Sequence, residues 1–486
     1  MLRNKNILLK IGINLILIVV IFLTRKVSFT DSILNYDETE WIYCLKKMID
    51  NPIPIFGFDA HTTGPIAIYL LYPFYLISEQ LNIYDLRIYG LIFLLIPFIL
   101  FLRKNIQECV IYSFTYFTFL TIVNNDFFAY NTEWILIPLL FLLEDISKKI
   151  TNKSILTKSV YILIIILLPL IKFQAILFSL YFYIYLFVII LKEKKYNETY
   201  KLILISITLS TLVLIFINNF INVFELKHFY IDRNVYYSKF MKWGKSSRDI
   251  FYIFRHELTN LFFLHIISII ITTFFLIKKN GIKIITKLTN EYILTFITLI
   301  TIYIPKTNFT HYFQFLFFAF TILLAKQIII LIYQNRKTFK YIIFLFLICT
   351  IAIGFYNYNN TFEIKQEDTS YIDSKHLEKK IQNSTVFILG WFEAEPLYYR
   401  LRNKIQIEHP SAHTYFLKTF SEINKGIFYN KELNLVLKTL RSDLDYVVDP
   451  EGIIENINEN KINSIIFKKY QMIEKFKKGY IYKKWK

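Results

Sequence analysis

The sequence predicts an α-helical protein that crosses a membrane many times and carries a small α/β domain at its C-terminal end. Its 486 residues are 55% hydrophobic and have a mean hydropathy of +0.41, which is more apolar surface than one soluble core can bury. Most apolar residues fall in long runs separated by short basic clusters. After Tyr356 this pattern stops, and short apolar and amphipathic segments alternate. We therefore predict a membrane domain over residues 1–356 and a soluble domain over residues 357–486.

The apolar runs predict about eleven membrane crossings, several of them shorter than the roughly 20 residues that a helix needs to cross the hydrocarbon core. Flanking Thr, Ser and aromatic residues are expected to extend the short ones to the interfaces. The runs are Ile7 to Leu23, Ile88 to Leu102, Cys109 to Val123, Trp134 to Leu143, Val160 to Ile171, Phe173 to Leu191, Leu202 to Ile221, Leu258 to Ile277, Tyr292 to Ile304, Tyr312 to Tyr333 and Tyr341 to Tyr356.

The basic residues predict the orientation. The formal net charge is +19, but Lys and Arg occur in short clusters between apolar runs, which is typical of cytoplasmic loops rather than of a nucleic-acid-binding surface. A cytoplasmic N-terminus places nearly all of these clusters in the cytoplasm, provided that Pro65 to Ile77 lies along the membrane surface. The sequence thus predicts a multi-pass inner-membrane protein with an extracytoplasmic C-terminal domain and no nucleic-acid partner.

Two interfacial helices are predicted in the first outer loop, Thr24 to Arg87. In Glu38 to Ile49, apolar residues recur at helical spacing while Glu40 points elsewhere. Pro65 to Ile77 is short, contains Pro73 and begins with a proline, as the first turn of a helix often does. Both segments fit the membrane surface better than a crossing.

Period-two and helical patterns predict the elements of the tail. The predicted strands are Thr385 to Leu389, Lys404 to Ile407, Tyr446 to Val448 and Ser464 to Phe467. The predicted helices are Ser374 to Ile381, Ala412 to Phe420 and Lys431 to Leu440.

Acids and cations collect in the predicted outer loops. Asp37 and Glu38 follow the first crossing, where acids are costly unless they cap, pair or react. A hydroxyl that attacks a sugar on a lipid-linked phosphate needs a carboxylate to take its proton and cations to hold the phosphate charge. Asp37 and Glu38 are the candidates for the first role. The candidates for the phosphate are Lys172, His61, His311 and Arg255, and those for acceptor binding or for tuning the base are Glu133 and Asp126.

Short motifs occur in a fixed order along residues 1 to 335. They are Asp37-Glu38, Thr63-Gly64-Pro65, Arg87, Asn131-Thr132-Glu133, Lys172-Phe173-Gln174 and His311-Tyr312-Phe313-Gln314. In these motifs the sequence resembles the integral-membrane glycosyltransferases of the GT-C class, in particular the bacterial branch related to protein O-mannosyltransferases and the aminoarabinose transferase. The tail resembles the small outer domain that many members carry, through Leu389-Gly390-Trp391 and Leu397-Tyr398.

The resemblance implies a GT-C fold and inverting transfer of one sugar from a polyprenyl-phosphate donor to an acceptor outside the membrane. The acceptor would be lipopolysaccharide, another envelope glycan or glycolipid, or a protein, and membrane lipid is a further expected partner. Asp37 would be the catalytic carboxylate, with Glu38 beside it, and Glu133 the acid of the second outer loop. Lys172 and His311, followed by Tyr312, would contact the phosphate or the lipid head.

One motif departs from the family. Relatives often carry Lys-Pro-Pro or His-Pro-Pro where this chain reads Thr63-Gly64-Pro65, so His61 is the candidate substitute for that phosphate contact. No cofactor is firmly implied. The use of a divalent metal stays open, because related enzymes differ and no metal-ligand spacing occurs.

The same residues also have structural interpretations. Asp37 and Glu40 have capping-box spacing, Glu133 fits an ordinary interfacial acid, and Lys172 fits a lysine that snorkels to the interface. Two other functions also stay open. A transporter or flippase of lipid-linked saccharides would place ionisable residues deep in its spans. A polysaccharide polymerase or ligase would centre on the arginines of the loop Asn222 to Glu257.

Overall fold

The structure is a computed structural model that describes residues 2–29, 36–52, 63–78, 81–122, 127, 129–148, 150–194, 196–220, 227–235, 260–304, 310–334, 352, 374–381, 383–389, 397, 401, 406–407, 427–457, 460–476 and 479–485. The described chain forms two compact units. The first contains Met1–Thr30, Arg87–Leu214 and Tyr237–Glu363. The second contains Asp31–Leu86, Ile215–Tyr236 and Ile364–Lys486. The predicted boundary at residue 357 stays a prediction.

Helices make up most of the described chain. In chain order they are α1 (Leu2–Arg25), α2 (Tyr36–Asp50), α3 (Pro65–Tyr69), α4 (Tyr72–Ile77), α5 (Ile83–Phe101), α6 (Ile106–Leu120), α7 (Glu133–Ser147), α8 (Ile155–Ile171), α9 (Ile176–Lys192), α10 (Tyr196–Phe220), α11 (Asn260–Asn280), α12 (Lys283–Lys287), α13 (Thr289–Tyr303), α14 (Phe315–Gln334), α15 (Ser374–Ile381), α16 (Ile427–Arg441), α17 (Ile453–Ile457) and α18 (Asn460–Lys469). Every predicted crossing as far as Tyr333 contains a helix. The last one, Tyr341 to Tyr356, lies outside the described residues apart from Ala352.

Five stretches of the described chain are helical, long and apolar enough to cross a membrane. They are Asn6–Arg25, Ile83–Phe101, Phe173–Lys192, Tyr196–Asn218 and His311–Tyr333. The described chain is therefore that of a mostly helical protein with several apolar helices, while the predicted number of about eleven crossings stays a prediction.

The first unit is organised around α14. The apolar window His311–Tyr333 is 78% buried, and α14 packs against α6, α7, α11 and α13. The window Tyr196–Asn218 of α10 is only 17% buried. Burial thus separates a central helix from a peripheral one, whose exposed apolar side chains suit contact with lipid.

The second unit contains a five-stranded sheet with the strand order β2-β1-β3-β5-β4. Strands β1 (Thr385–Ile388), β2 (Gln406–Ile407) and β3 (Tyr446–Asp449) are parallel to one another. Strand β5 (Tyr480–Lys484) is antiparallel to β3 and to β4 (Tyr470–Lys475). Parallel pairing requires crossover connections, which this α/β tail supplies with helices such as α16 between β2 and β3.

One predicted strand of the tail is wrong. Ser464 to Phe467 lies inside α18, where Ile462 and Ile466 are buried four residues apart, on one face of a helix. The predicted helix Ala412 to Phe420 lies outside the described residues. The other predicted strands and helices of the tail coincide with β1, β2, β3, α15 and α16 to within a few residues.

Helix α2 is buried more completely than predicted. Trp41, Ile42, Leu45 and Met48 are buried, as expected of its apolar face. Glu40 was expected to point away from that face, yet it is also buried. The reason is long-range, because Tyr43, on the same face as Glu40, packs into the apolar core of the tail around Leu377, Val386 and Val448.

The segment Pro65 to Ile77 forms two short helices, α3 and α4. Pro65 occupies the first turn of α3, as predicted, and Gly64 precedes it in an extended conformation. Tyr72, Leu76 and Ile77 of α4 are exposed. Exposed apolar side chains on a short helix are compatible with the predicted interfacial position.

A buried ion pair connects two distant parts of the second unit. Arg233 donates from Nε and Nη2 to the two carboxylate oxygens of Glu432 on α16, both at 2.8 Å. The two residues are 1% and 0% exposed. His228 Nε2 lies 3.9 Å from the same carboxylate. A bidentate pair of this kind fixes geometry as well as charge, so it joins Lys227–Asp232 and the residues after it to the tail.

Candidate active site

Lys172 occupies the tip of a helical hairpin. Helices α8 and α9 pack against each other, and only Lys172 and the 3-10 turn Phe173–Ala175 connect them. Lys172 caps the C-terminal end of α8 in an extended conformation, with φ −149° and ψ 127°. Its backbone N–H still donates to Leu168 O. The hairpin therefore presents one lysine side chain at the end of two apolar helices.

The ammonium of Lys172 forms a buried ion pair with Glu133. Lys172 Nζ lies 2.5 Å from Glu133 Oε1, and the two residues are 7% and 0% exposed. Glu133 is the first residue of α7, where the helix dipole favours a carboxylate. Thr132 Oγ1 donates weakly, at 3.4 Å, to Glu133 Oε2. Glu133 is thus held from two sides, and its charge is matched by the lysine.

His311 and Tyr312, in the turn that precedes α14, complete this cluster. Tyr312 and His311 belong to the 3-10 turn Thr310–Gln314. Lys172 Nζ lies 4.5 Å from the centroid of the Tyr312 ring, and the rings of His311 and Tyr312 are 4.6 Å apart. A cation over an aromatic face is attracted by the quadrupole of the ring. The structure therefore brings together Glu133, Lys172, His311 and Tyr312, which the sequence placed in three separate loops.

The cluster has hydrogen-bonding capacity left over. Within the described residues, the side chain of Lys172 makes no hydrogen bond other than that to Glu133. The Oε1 atom of Gln174, two residues later, is buried and has no hydrogen-bond partner there either. An ammonium has three donors, so this site can bind an anion without giving up Glu133.

Arg25 is not among the predicted site residues, yet it supports the cluster. Arg25 is buried and donates from Nε to Leu120 O and from Nη1 to Phe127 O, both at 3.2 Å. Its guanidinium lies 5.0 Å from the centre of the Trp134 ring. Arg25 thus holds the end of α6 and the start of α7, and so the backbone that carries Glu133. Its position next to the first crossing was the signal available in the sequence.

A close approach of α5 fixes the same region. A Cβ atom at Gly90 would lie 2.4 Å from the Tyr130 ring and 2.5 Å from the Trp134 ring. Only glycine lets α5 come this near to both rings. The rings in turn flank the residues Asn131 and Thr132 that lead into Glu133.

Asp37 and Glu38 lie in the second unit, in the first turn of α2. Asp37 is half-buried, whereas Glu38 is fully buried. The helix begins at Tyr36, which puts Asp37 inside the helix rather than at a cap before it. The dipole of α2 favours both carboxylates. Asp37 is the more accessible of the two, as a residue that takes a proton from an external hydroxyl must be.

The other predicted site residues lie outside the described residues, namely His61, Asp126 and Arg255. No group of three or more His, Cys, Asp or Glu side chains placed to bind a metal occurs within the described part of the chain.

Similar proteins are found among solved structures. No family model matches the sequence, and no curated protein matches it. Among solved structures, the crystal structure of ArnT from Cupriavidus metallidurans bound to undecaprenyl phosphate is similar over 98% of this chain and 97% of that one, with 10% sequence identity and a TM-score of 0.45. A similarity of this degree leaves the activity of this chain to be inferred from its own residues.

Proposed function

We propose that this protein is a membrane glycosyltransferase that moves one sugar from a polyprenyl-phosphate donor to an acceptor of the cell envelope. The observation that carries the proposal is the buried Glu133–Lys172 pair, whose ammonium lies over the Tyr312 ring, because the pair holds a cation at the end of an apolar hairpin. A lipid-linked phosphate needs a cation at that kind of place, because its charge lies where the apolar chain ends.

In the proposed reaction, Asp37 takes the proton of the acceptor hydroxyl as general base. The acceptor oxygen bonds to the anomeric carbon of the sugar while the bond from that carbon to the phosphate oxygen breaks. Attack from the opposite side inverts the configuration. The polyprenyl phosphate leaves with one more negative charge than it had in the donor, and Lys172 stabilises that charge.

Glu133 and His311 have supporting roles in this proposal. Glu133 fixes the direction of the Lys172 ammonium, which reduces the reorganisation needed when charge develops on the phosphate. The His311 ring contacts the Tyr312 ring edge-on, at an interplanar angle of 68°, and so helps to fix the ring that the lysine contacts. The identity of the sugar and of the acceptor is left to experiment.

The proposal is tested by mass spectrometry of envelope glycans from cells that carry the gene, lack it, or carry a variant. Loss of the gene should remove a single sugar from one class of glycan. Asp37→Asn should lower the transfer rate by about 10² to 10⁴-fold, the usual contribution of a general base. Asp50→Asn, at the exposed end of the same helix, is the matched control and should be active. A fully active Asp37→Asn enzyme would refute the assignment of the base.

A flippase of lipid-linked saccharides is the second candidate, because a buried ion pair at the end of apolar helices, such as Glu133–Lys172, also suits a transporter. Purified protein in detergent distinguishes the two. A transferase needs no membrane sides and should convert donor and acceptor in micelles. A flippase should show no turnover there and should move lipid only in sealed vesicles.

A further inference from the structure

A polar cavity lies between the first turns of α8 and α10. It has a volume of about 620 Å³ and is lined by Ile155, Lys194, Tyr196, Asn197, Glu198 and Lys201. Ile155 begins α8 and Lys172 follows the end of this 17-residue helix. At a rise of ~1.5 Å per residue the cavity and the ammonium cluster are about 25 Å apart along the helix. The cavity is therefore separate from the candidate active site.

The cavity carries unbalanced positive charge. Its one acid, Glu198, forms an ion pair with Lys158, which is buried behind it. Lys194 and Lys201 have no side-chain hydrogen bond or ion pair with any residue that the structure describes, and the same holds for the side chains of Tyr196 and Asn197. Two ammonium groups, a phenol and an amide are thus available to an anion.

The cavity opens at the edge of the apolar body. Helix α10 is a peripheral helix of the first unit, and Leu204 and Ile207, about two and three turns into it, are 66% and 59% exposed. Tyr196 and Tyr200, in its first turns, are 58% and 73% exposed. Exposed tyrosines at the end of an exposed apolar helix are typical of the level at which lipid headgroups lie. The cavity is therefore at headgroup depth.

Lys194 has a backbone conformation that lysine rarely adopts. Its φ is +57°, in the left-handed region, and it follows the C-cap residue Glu193 of α9. Glycine is the usual residue at such a position, because a Cβ atom is disfavoured there. Lys194 therefore combines a strained backbone with a side chain that lines a charged cavity, as expected if its ammonium group is selected.

We propose that this cavity binds the headgroup of an anionic phospholipid. The phosphate lies between Lys194 and Lys201 and accepts hydrogen bonds from Tyr196 and Asn197, and the acyl chains follow the exposed apolar face of α10. Basic cavities between membrane helices recognise anionic headgroups by the same charge complementarity.

Native mass spectrometry of the full-length protein from micelles containing equal amounts of phosphatidylglycerol and phosphatidylcholine tests the proposal. The wild-type protein should retain phosphatidylglycerol preferentially. Lys194→Gln/Lys201→Gln should lower this preference roughly tenfold to thirtyfold, as expected for removing two lysines near an anionic headgroup. Lys283→Gln/Lys287→Gln removes the same charge from the exposed part of α12 and its end, and should leave the preference unchanged. An unchanged preference in the first variant, or an equal loss in both, would overturn the proposal.

Two further measurements identify the lipid that is bound and separate the effect of the Lys194 charge from that of its backbone strain. Undecaprenyl phosphate, added as competitor, should not displace phosphatidylglycerol; displacement at equal concentration would assign the cavity to the polyprenyl phosphate instead. Lys194→Gly relieves the backbone strain while removing the charge. It should melt at the same temperature as the wild type or higher, yet lose the lipid preference. Retained preference in this stable variant would show that Lys194 does not contact the lipid and would overturn the proposal.

Discussion

Replacing Lys172 with methionine should destabilise the first unit by about 3 to 5 kcal/mol. The substitution leaves the Glu133 carboxylate, which is 0% exposed, without the ammonium that lies 2.5 Å away, and breaking one side of a buried ion pair typically costs this much. Loss of the contact with the Tyr312 ring adds about 1 kcal/mol. The loss should be far larger than for Lys153→Met at an exposed position, where we expect a change within about 0.5 kcal/mol.

A double-mutant cycle isolates the pair. Glu133→Gln should also destabilise the protein, because it leaves the Lys172 ammonium buried without a carboxylate. The double variant Glu133→Gln/Lys172→Met should be no less stable than the worse single variant, so the coupling free energy should be at least as large as the smaller of the two single effects. Unfolding of purified protein in mixed micelles with increasing SDS measures all four proteins. If the two single effects simply add in the double variant, the two side chains do not interact and the described geometry of the site is wrong.

Three further predictions concern the second unit. Glu432→Gln should destabilise it by about 3 to 5 kcal/mol, because it removes the carboxylate charge that balances the buried Arg233, and pulse proteolysis of the tail measures this. Burial raises the pKa of Asp449 from 3.8 to about 6, so the folded state holds this proton more tightly than the unfolded state does. The stability that protonated Asp449 gives is present below pH 4 and is lost as the pH rises through 6, which amounts to about 3 kcal/mol. The difference in stability between Asp449→Asn and wild type should therefore change across this window, and a difference that is constant with pH would contradict the reasoning. Gly479→Ala should destabilise the sheet by about 3 kcal/mol or more. The added Cβ would lie 2.1 Å from Asp449 O and 2.7 Å from the carbonyl carbon of Pro450, and these backbone atoms cannot move away as a flexible side chain can. Faster hydrogen exchange of β5 would show the loss of stability.

The helices of the first unit could be predicted from the sequence because long apolar runs are typical of helices that lie in a membrane. The approach of Glu133 to Lys172 and His311 was foreseeable at the level of sidedness, since all three fall in predicted outer loops. Their pairing was not foreseeable. Which side chains touch depends on how α7, α8 and α14 pack, and that packing is decided by contacts between residues far apart in the chain.

The burial of Glu40 shows the same limit. Helix α2 reads as amphipathic by itself, but Tyr43 packs against Leu377 and Val386, which are more than three hundred residues away in the sequence. Strands β4 and β5 were not predicted, because β4 is largely exposed, β5 ends in two exposed lysines, and both lie at or next to the edge of the sheet. Local periodicity identifies an element only when its own burial is regular.

The shortness of the connection at Lys172 restricts how this protein can change. Since α8 and α9 meet through four residues, inserting or deleting one residue in either helix would rotate everything beyond it by about 100° about the helix axis. The ammonium would then swing away from Glu133 while both helices kept their length and hydrophobicity. Relatives that use this lysine should therefore vary freely in the identity of the surrounding apolar residues. They should keep the number of residues between the hairpin tip and the packed part of each helix. Length variation should be confined to the far ends of the hairpin, where an extra residue changes no angle at the tip.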